Sequence, residues 1–291
     1  MICRQYSEGQ KLDVAGLNEI TVLVDRGETE LTEVGWNRWR KGLEGPPHSH
    51  AGKEQVFYVT DGEGAVVVGK ERYPVKPGSM VYVPPSVVHQ TIVAGDESLS
   101  YLLFNAFLDA GKEGHASFAD HIEKVKQVRW QQAQSQQAGV TGADARGTWD
   151  QAGKHIEDIH DNRRLDFSSN TSTLLLARNE THRCEVTLVI WPKGDKGTQV
   201  AHKEKEQTSF VLAGRGAVTI GRVTRPVTVG DVVFVPWQTP HTTVAPDVEL
   251  TYICFNTLVV EPPDRSFAES YDRVVSGRIA RWKAGDSIVG E

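Results

Sequence analysis

The sequence has little of what marks a secreted or membrane protein. It contains only three cysteines in 291 residues, Cys3, Cys184 and Cys254, and an odd number at distant positions argues against a disulfide framework. No apolar run approaches the roughly 20 residues that span a bilayer, and the N-terminus lacks the apolar segment of a secretory signal. We therefore expect a cytoplasmic protein with no membrane partner.

The sequence also lacks any concentration of charge of one sign. Its 32 Lys and Arg against 38 Asp and Glu give a formal net charge of -6, and the basic residues are interspersed with acids. A nucleic-acid partner is therefore not expected. The hydrophobic fraction of 39% and the charged fraction of 24% are typical of a globular chain with one or two domains.

What the sequence does contain is a copy of itself, shifted by about 152 residues. Aligned without gaps, about 30 of about 74 positions between residues 18 and 91 are identical in the two copies. Each copy has short segments rich in Val, Ile, Tyr, Phe and Thr, such as EQVFYVT and SMVYVP, separated by Gly, Pro and Asp. This pattern predicts two all-β domains, each an antiparallel sandwich or barrel.

The predicted domains are residues 1–108 and 166–260, joined by a partly helical linker at 109–165 and followed by a tail at 261–291 that also reads as helical. In the linker, Ile122, Val125 and Val128 have the spacing of a surface helix with one narrow apolar face. The linker histidines are interpreted as ordinary polar positions; they are His115, His121, His155 and His160.

The first repeat contains four potential metal ligands. Residues two apart in a strand point the same way, so His48 and His50 present both imidazoles to one side. Gln55 follows at the start of the next strand, and His89 comes one turn and one further strand later. Side chains from neighbouring strands can thus converge on one ion.

These residues, with the glycines around them, resemble the signature of the cupin superfamily. The elements of the resemblance are Gly42, His48, His50, Gln55 and Gly62, followed by KPGSMVYVPPSVVH, which ends at His89. Since both repeats carry it, the chain resembles a bicupin, with two tandem cupin barrels of the double-stranded β-helix or jelly-roll type. The resemblance implies one divalent transition metal (Fe, Ni, Zn or Mn) in the N-terminal barrel, held by His48, His50, Gln55 and His89.

The third ligand is Glu in most cupins, whereas here that place belongs to Gln55. Glu54 is the alternative, although a one-residue offset in a strand turns a side chain to the other face. Three imidazoles and an amide leave the ion its full charge, which makes it a stronger Lewis acid and a better host for an anionic, chelating substrate. Such a set is similar to the sites of a cupin that linearises unsaturated uronates and of the bicupin isomerase in bacilysin synthesis.

The second repeat departs from this pattern because Val200 occupies the position of His48. It retains His202, Gln207 and His241, and an apolar side chain cannot replace an imidazole donor. We expect the second site to be lost. Weak three-ligand binding, or a role of the two histidines in holding an anion or Gln207, stays open.

Three further residues are candidates for the catalytic site. Arg38 and Arg40 precede His48 and have no arginine counterparts in the second repeat, and arginine can clamp a carboxylate. A solvated strand edge is the alternative for both. Asn105 lies where cupins often place a residue near the site, with a hydrogen bond to a loop as the alternative. Phe57, two positions after Gln55, is expected to face the cavity.

We therefore expect a metal-dependent enzyme that acts on a small anionic carbonyl or carbohydrate compound by isomerase- or lyase-type Lewis-acid chemistry. An Fe(II)-dependent dioxygenase of a chelating substrate and a non-catalytic metal- or sugar-binding bicupin are the alternatives. The expected partner is a small-molecule substrate, and the family resemblance is compatible with a homodimer.

Overall fold

The computed structural model describes residues 2–137, 147–157, 159, 164–166, 170–262, 267–284 and 288–289. The first eleven strands are β1 (Ile2–Gln5), β2 (Gln10–Val14), β3 (Asn18–Val24), β4 (Thr32–Trp39), β5 (Lys53–Asp61), β6 (Gly64–Val68), β7 (Glu71–Val75), β8 (Met80–Val83), β9 (His89–Val93), β10 (Leu99–Phe107) and β11 (Lys154–Ile156). The later strands are β12 (Arg164–Asp166), β13 (Thr171–Leu176), β14 (Cys184–Trp191), β15 (Val200–Ala201), β16 (Lys205–Ile220), β17 (Val223–Thr228), β18 (Asp231–Val235), β19 (His241–Val244), β20 (Leu250–Leu258) and β21 (Ile288–Val289). The helices are α1 (Phe118–Gln137) and α2 (Phe267–Ala284).

The chain divides into two compact units, Ser7–Ile159 and the combination of Met1–Tyr6 with His160–Glu291. We call them the N-terminal and C-terminal units. The N-terminal unit has a seven-stranded antiparallel sheet in the order β11-β8-β5-β10-β4-β3-β2 and a three-stranded sheet in the order β7-β6-β9. Its core contains buried aliphatic side chains from both sheets, with Trp39 and Tyr101 among them. This arrangement is the predicted cupin barrel.

The C-terminal unit repeats this architecture. Its described strands form one extended sheet in the order β12-β13-β14-β20-β16-β19-β15-β21, with β17 and β18 also paired to β16. Strand β16 is 16 residues long and replaces the separate β5 and β6 of the first unit. Trp191 and Leu250 take the core positions of Trp39 and Leu99. The duplicated sequence therefore gives two barrels, as predicted.

The two units differ from the predicted boundaries at two places. Residues 2–5, assigned to the first barrel at 1–108, form β1 and pair with β18 of the second. Residues 109–159, predicted as a linker, belong to the N-terminal unit, where β11 pairs with β8. In both barrels an equivalent strand edge is thus covered by a segment from outside the repeat, which leaves fewer backbone groups unpaired.

Helix α1 lies in the predicted linker and, as expected of a surface helix, has one face packed on the barrel and the other exposed. Phe118 and Ile122 belong to the core of the barrel, and Val125 packs against it. Val128, counted in the predicted apolar face, is 53% exposed. The buried face instead continues to Arg129, seven residues after Ile122. Among the described residues, no helix combines the length and apolar composition needed to cross a lipid bilayer.

Two glycines of the N-terminal unit, Gly62 after β5 and Gly78 before β8, should differ in how much stability is lost when they are replaced by alanine. Gly62 has a φ of +77°, and a Cβ there would lie 2.1 Å from the Ser98 carbonyl oxygen. Gly78 has a φ of +93°, but a Cβ there would meet nothing within 4 Å. Gly78→Ala should lower the free energy of unfolding by about 1–2 kcal/mol, the cost of left-handed backbone alone.

Gly62→Ala should cost about 3 kcal/mol or more, because steric overlap adds about 1–3 kcal/mol to the same backbone cost. Urea denaturation followed by tryptophan fluorescence measures both variants. Equal losses at the two positions would contradict the close approach between Gly62 and Ser98.

Candidate metal centre

Three histidines of the N-terminal unit form a cluster. The backbones of His48 and His89 pair with each other, since His48 N–H donates to the His89 carbonyl at 3.1 Å and the reverse bond is 2.8 Å. The side chains of His48, His50 and His89 each offer a ligand atom, and these atoms lie within 4.8 Å of one another. The structure thus brings together the three histidines chosen from the sequence.

The outer nitrogens of two imidazoles are held by backbone carbonyls. His48 Nδ1 lies 3.0 Å from the Pro46 carbonyl oxygen, and His89 Nδ1 lies 3.2 Å from that of Val87. Because a carbonyl can only accept, each Nδ1 carries the hydrogen and each Nε2 keeps a lone pair. His50 Nδ1 lies 3.8 Å from Glu113 Oε1. The tautomers of His48 and His89 are therefore set for metal ligation.

The imidazoles are also held in the neutral form that binds metals. Burial, together with neighbouring positive charge, lowers the pKa of His48 and His50 well below the ordinary value. Burial lowers the pKa of His89 to about 4. Neutral pH therefore leaves all three rings uncharged, and none has to lose a proton to become a ligand.

Gln55 is the fourth residue that the sequence predicted for this site. It is 4% exposed and lines the same cavity as the three histidines. Its Nε2 donates to Asn105 Oδ1 at 2.8 Å, whereas its Oε1 is buried without a hydrogen-bond partner among the described residues. Glu54, the alternative ligand, points the other way and accepts from the Tyr82 hydroxyl at 2.8 Å. The amide oxygen is thus buried and available as a fourth metal ligand.

The orientation of this amide is set by a buried chain of hydrogen bonds. Asn105 Nδ2 donates to Glu33 Oε1 at 2.7 Å. Arg26 donates through Nε to Glu33 Oε2 and through a terminal nitrogen to Glu33 Oε1. Arg26, Glu33 and Asn105 are all fully buried. We call Arg26, Glu33, Asn105 and Gln55 the amide chain. Asn105 therefore lines the same cavity and orients the amide of Gln55, and its role in catalysis stays a prediction.

The second barrel has the same amide chain. Gln207 Nε2 donates to Asn256 Oδ1 at 2.8 Å, and Asn256 Nδ2 donates to Glu185 Oε1 at 3.4 Å. Arg178 Nε donates to Glu185 Oε2 at 2.8 Å. Neither Arg–Glu pair was identified from the sequence. The same two residues occur at equivalent positions of both repeats, and this repetition could have indicated a shared structural role.

The histidines of the second barrel remain a pair. The ring centroids of His202 and His241 are 5.3 Å apart, and Val200, paired with His241, brings no donor. Within the described part of the chain, His48, His50 and His89 are the one set of three or more His, Cys, Asp or Glu side chains grouped as for a metal.

The two arginines proposed from the sequence lie outside the cavity. Arg38 is exposed on β4, and Arg40 forms a solvent-exposed ion pair with Asp13 at 3.5 Å. Their neighbours Asn37 and Trp39 face inward and line the cavity instead. The prediction that Arg38 or Arg40 binds an anion at the site is therefore wrong, because side chains alternate along a strand and these two fall on the outer face.

Helix α1 brings to the cavity a histidine that was not predicted to lie there. His121, interpreted as an ordinary polar position, is 5% exposed, and its ring centroid lies 6.1 Å from that of His50. Its Nδ1 has no hydrogen-bond partner among the described residues. His115 packs on His121 at 4.8 Å, whereas His155 stacks on Tyr73 away from the cavity. His160 lies outside the described residues.

The cavity has an inner and an outer part. The inner part encloses about 30 Å³ between the histidines, Gln55 and Phe57, which faces the cavity as expected. The outer part is a cleft of about 520 Å³ beneath α1. His48, His50, His121 and Arg129 line both parts. A small molecule that enters the cleft can therefore reach the histidine cluster.

Comparison with known proteins gives two matches to the cupin domain, at residues 35–105 and 187–255. An uncharacterized protein of Methanocaldococcus jannaschii is 31% identical over 55 residues, which are 19% of this chain and 44% of that protein. The glucose-6-phosphate isomerases of Thermococcus onnurineus and Pyrococcus abyssi are 33% and 35% identical over 60 residues. The matches span about a third of the length of those isomerases.

Solved structures show the same fold over most of the chain. Oxalate decarboxylase from Bacillus subtilis has a TM-score of 0.58 at 14% identity, covering 88% of this chain and 75% of that one. The protein Ylba from E. coli has a TM-score of 0.63 at 13% identity, covering 90% and 92%. At these identities the likeness shows the fold alone. Because a cupin domain lies in each of the two units, the protein is a bicupin of the cupin superfamily.

Proposed function

We propose that this bicupin is a metal-dependent enzyme that acts on a small anionic carbonyl or carbohydrate compound by isomerase- or lyase-type chemistry. The observation that carries the proposal is the buried oxygen of Gln55, which has no hydrogen-bond partner among the described residues. An unpaired buried polar atom costs about 1–3 kcal/mol unless it has another partner. A cation among the three histidines is the partner that fits.

The residues present fit a divalent transition metal. His48, His50 and His89 would supply three neutral nitrogens and Gln55 one oxygen, a set that suits Fe, Ni, Zn or Mn. A bound ion would polarise a substrate carbonyl and offset the negative charge that develops on its oxygen. Because all four donors are neutral, none of them reduces the positive charge of the ion.

The protein's own residues would bind the substrate and move a proton. His121 is neutral, because burial lowers its pKa far below the ordinary value, so it is in the form that accepts a proton. An anionic substrate next to it would raise its proton affinity. Phe118 and Ile122 line the inner cavity beside His121 with apolar surface, which strengthens electrostatic interactions there.

The isomerase part of the proposal has a specific source of support. The curated glucose-6-phosphate isomerases match part of the chain at 33–35% identity. The matched length is short, so the substrate named for them is not carried over. What is carried over is the reaction class, in which a proton moves next to a carbonyl group.

Metal analysis tests the site. Purified protein saturated with Zn²⁺, Ni²⁺ or Mn²⁺ and then desalted should retain one equivalent of metal per chain by elemental analysis. His89→Ala should weaken binding by more than the about 10- to 100-fold typical of losing an outer-shell contact, since it removes a ligand.

The matched control is His241→Ala, the equivalent histidine of the second barrel, which should retain the full equivalent. Two equivalents in the unaltered protein would show a second metal site and contradict the loss of the site in the second barrel. Full retention by His89→Ala would show that the metal does not bind at the histidine cluster.

Proton exchange tests the reaction. In D₂O, the metal-loaded protein should exchange the proton α to the carbonyl of at least one compound in a panel of 2-keto acids and uronates, as followed by NMR. His121→Gln should slow this exchange by about 10²- to 10⁴-fold, the usual contribution of a general base, with metal content unchanged.

No exchange with any compound, together with oxygen consumption after anaerobic loading with Fe(II), would instead favour the dioxygenase alternative. If the protein retains metal but shows neither proton exchange nor oxygen consumption, the result would favour the non-catalytic binding alternative.

A further inference from the structure

We propose that Arg129 of helix α1 binds the carboxylate group of the substrate at the entrance to the metal site. The inference rests on the proposed function and narrows its substrate class to small carboxylates. The sequence suggested Arg38 and Arg40 for this role, but both are exposed on the outer face of the barrel. Arg129 is the arginine that lines the cavity.

Arg129 has the right position for this contact. Its side chain lines the inner cavity together with the three histidines, and it also lines the outer cleft. After burial, its positive charge is among the causes that lower the pKa of His48, His50 and His89. The guanidinium is therefore close enough to influence every imidazole of the cluster.

Arg129 forms no ion pair in the described part of the chain. The acid that acts on its charge is Glu113, which raises the pKa of Arg129 but forms its ion pair with Lys53. Arg26 is paired with Glu33, and Lys53 lies 3.4 Å from Glu113. No described carboxylate pairs with Arg129 within 4.0 Å. Burial lowers its pKa to about 10, so it keeps its proton at neutral pH. A half-buried cation without a partner is costly and is seldom kept for stability alone.

The neutrality of the metal ligands makes this imbalance larger. With three imidazoles and an amide, a divalent ion would face the guanidinium with both of its charges uncompensated, and like charges at short range repel strongly in a cavity of low polarity. A negative group bound between the ion and Arg129 removes the repulsion and is attracted by both. The site is thus completed by an anion.

A carboxylate fits better than a phosphate dianion. A guanidinium binds a planar carboxylate through two parallel hydrogen bonds, and the cleft of about 520 Å³ accepts a small molecule. Arg129 is also the one unpaired cationic side chain among the described residues that line the two cavities, whereas a phosphate would use several such donors.

Binding measurements on the metal-loaded protein test the proposal without relying on turnover. Calorimetric titration of the Zn²⁺-loaded protein should show tighter binding of pyruvate than of methyl pyruvate, its uncharged ester. Arg129→Gln should weaken pyruvate binding by about 10- to 100-fold, as expected for the loss of a charge-assisted, two-bond contact, and leave the ester nearly unaffected. Arg129→Lys should fall between the two.

Arg38→Gln and Arg40→Gln are the matched controls and should bind pyruvate like the unaltered protein. Equal affinity for pyruvate and its ester, or pyruvate binding unchanged in both Arg129 variants, would overturn the proposal. Tight Arg129-dependent binding of inorganic phosphate with no binding of pyruvate would overturn the carboxylate assignment. Failure of the unaltered protein to retain zinc would be a failure of the proposed function itself, visible before any titration.

Discussion

The orientation of one amide group, that of Gln55, is the constraint on which the proposed metal site depends. An amide rotated by half a turn would present its NH₂ group to the histidines and repel a cation. Glu33 prevents this because a carboxylate can only accept hydrogen bonds. It draws the NH₂ of Asn105 toward itself, the oxygen of Asn105 then draws the NH₂ of Gln55, and the oxygen of Gln55 is left facing the cavity. Arg26 compensates the buried charge of Glu33.

The second barrel has the supporting hydrogen bonds without the complete set of histidines. It keeps its own amide chain through Arg178, Glu185, Asn256 and Gln207, yet one histidine position is occupied by Val200. The amide chain therefore also serves the fold, since it joins side chains of three adjacent strands in each barrel. The first barrel has a third imidazole at the position of Val200, and helix α1 brings His121 and Arg129 to its cavity.

Much of this arrangement could be predicted from the sequence, because it follows from strand alternation and duplication. Alternation correctly placed Gln55 and Phe57 toward the cavity. The same rule, applied to β4, would have turned Arg38 and Arg40 outward. Buried ion pairs such as Arg26 with Glu33 were missed because charge usually indicates exposure. Arg129 was missed because it is a charged residue next to Val128, which the apolar spacing placed on the buried face. Only the packing of α1 shows that Arg129 faces the cavity instead.

Asn105 accepts from the NH₂ of Gln55 and so leaves the oxygen of Gln55 for the proposed metal. The direct measurement is the zinc affinity of Asn105→Leu compared with Asn256→Leu, its counterpart in the second barrel. If the account is right, Asn105→Leu weakens zinc binding by about 10- to 100-fold, whereas Asn256→Leu leaves it unchanged. Unaltered zinc affinity in a folded Asn105→Leu protein would contradict the account.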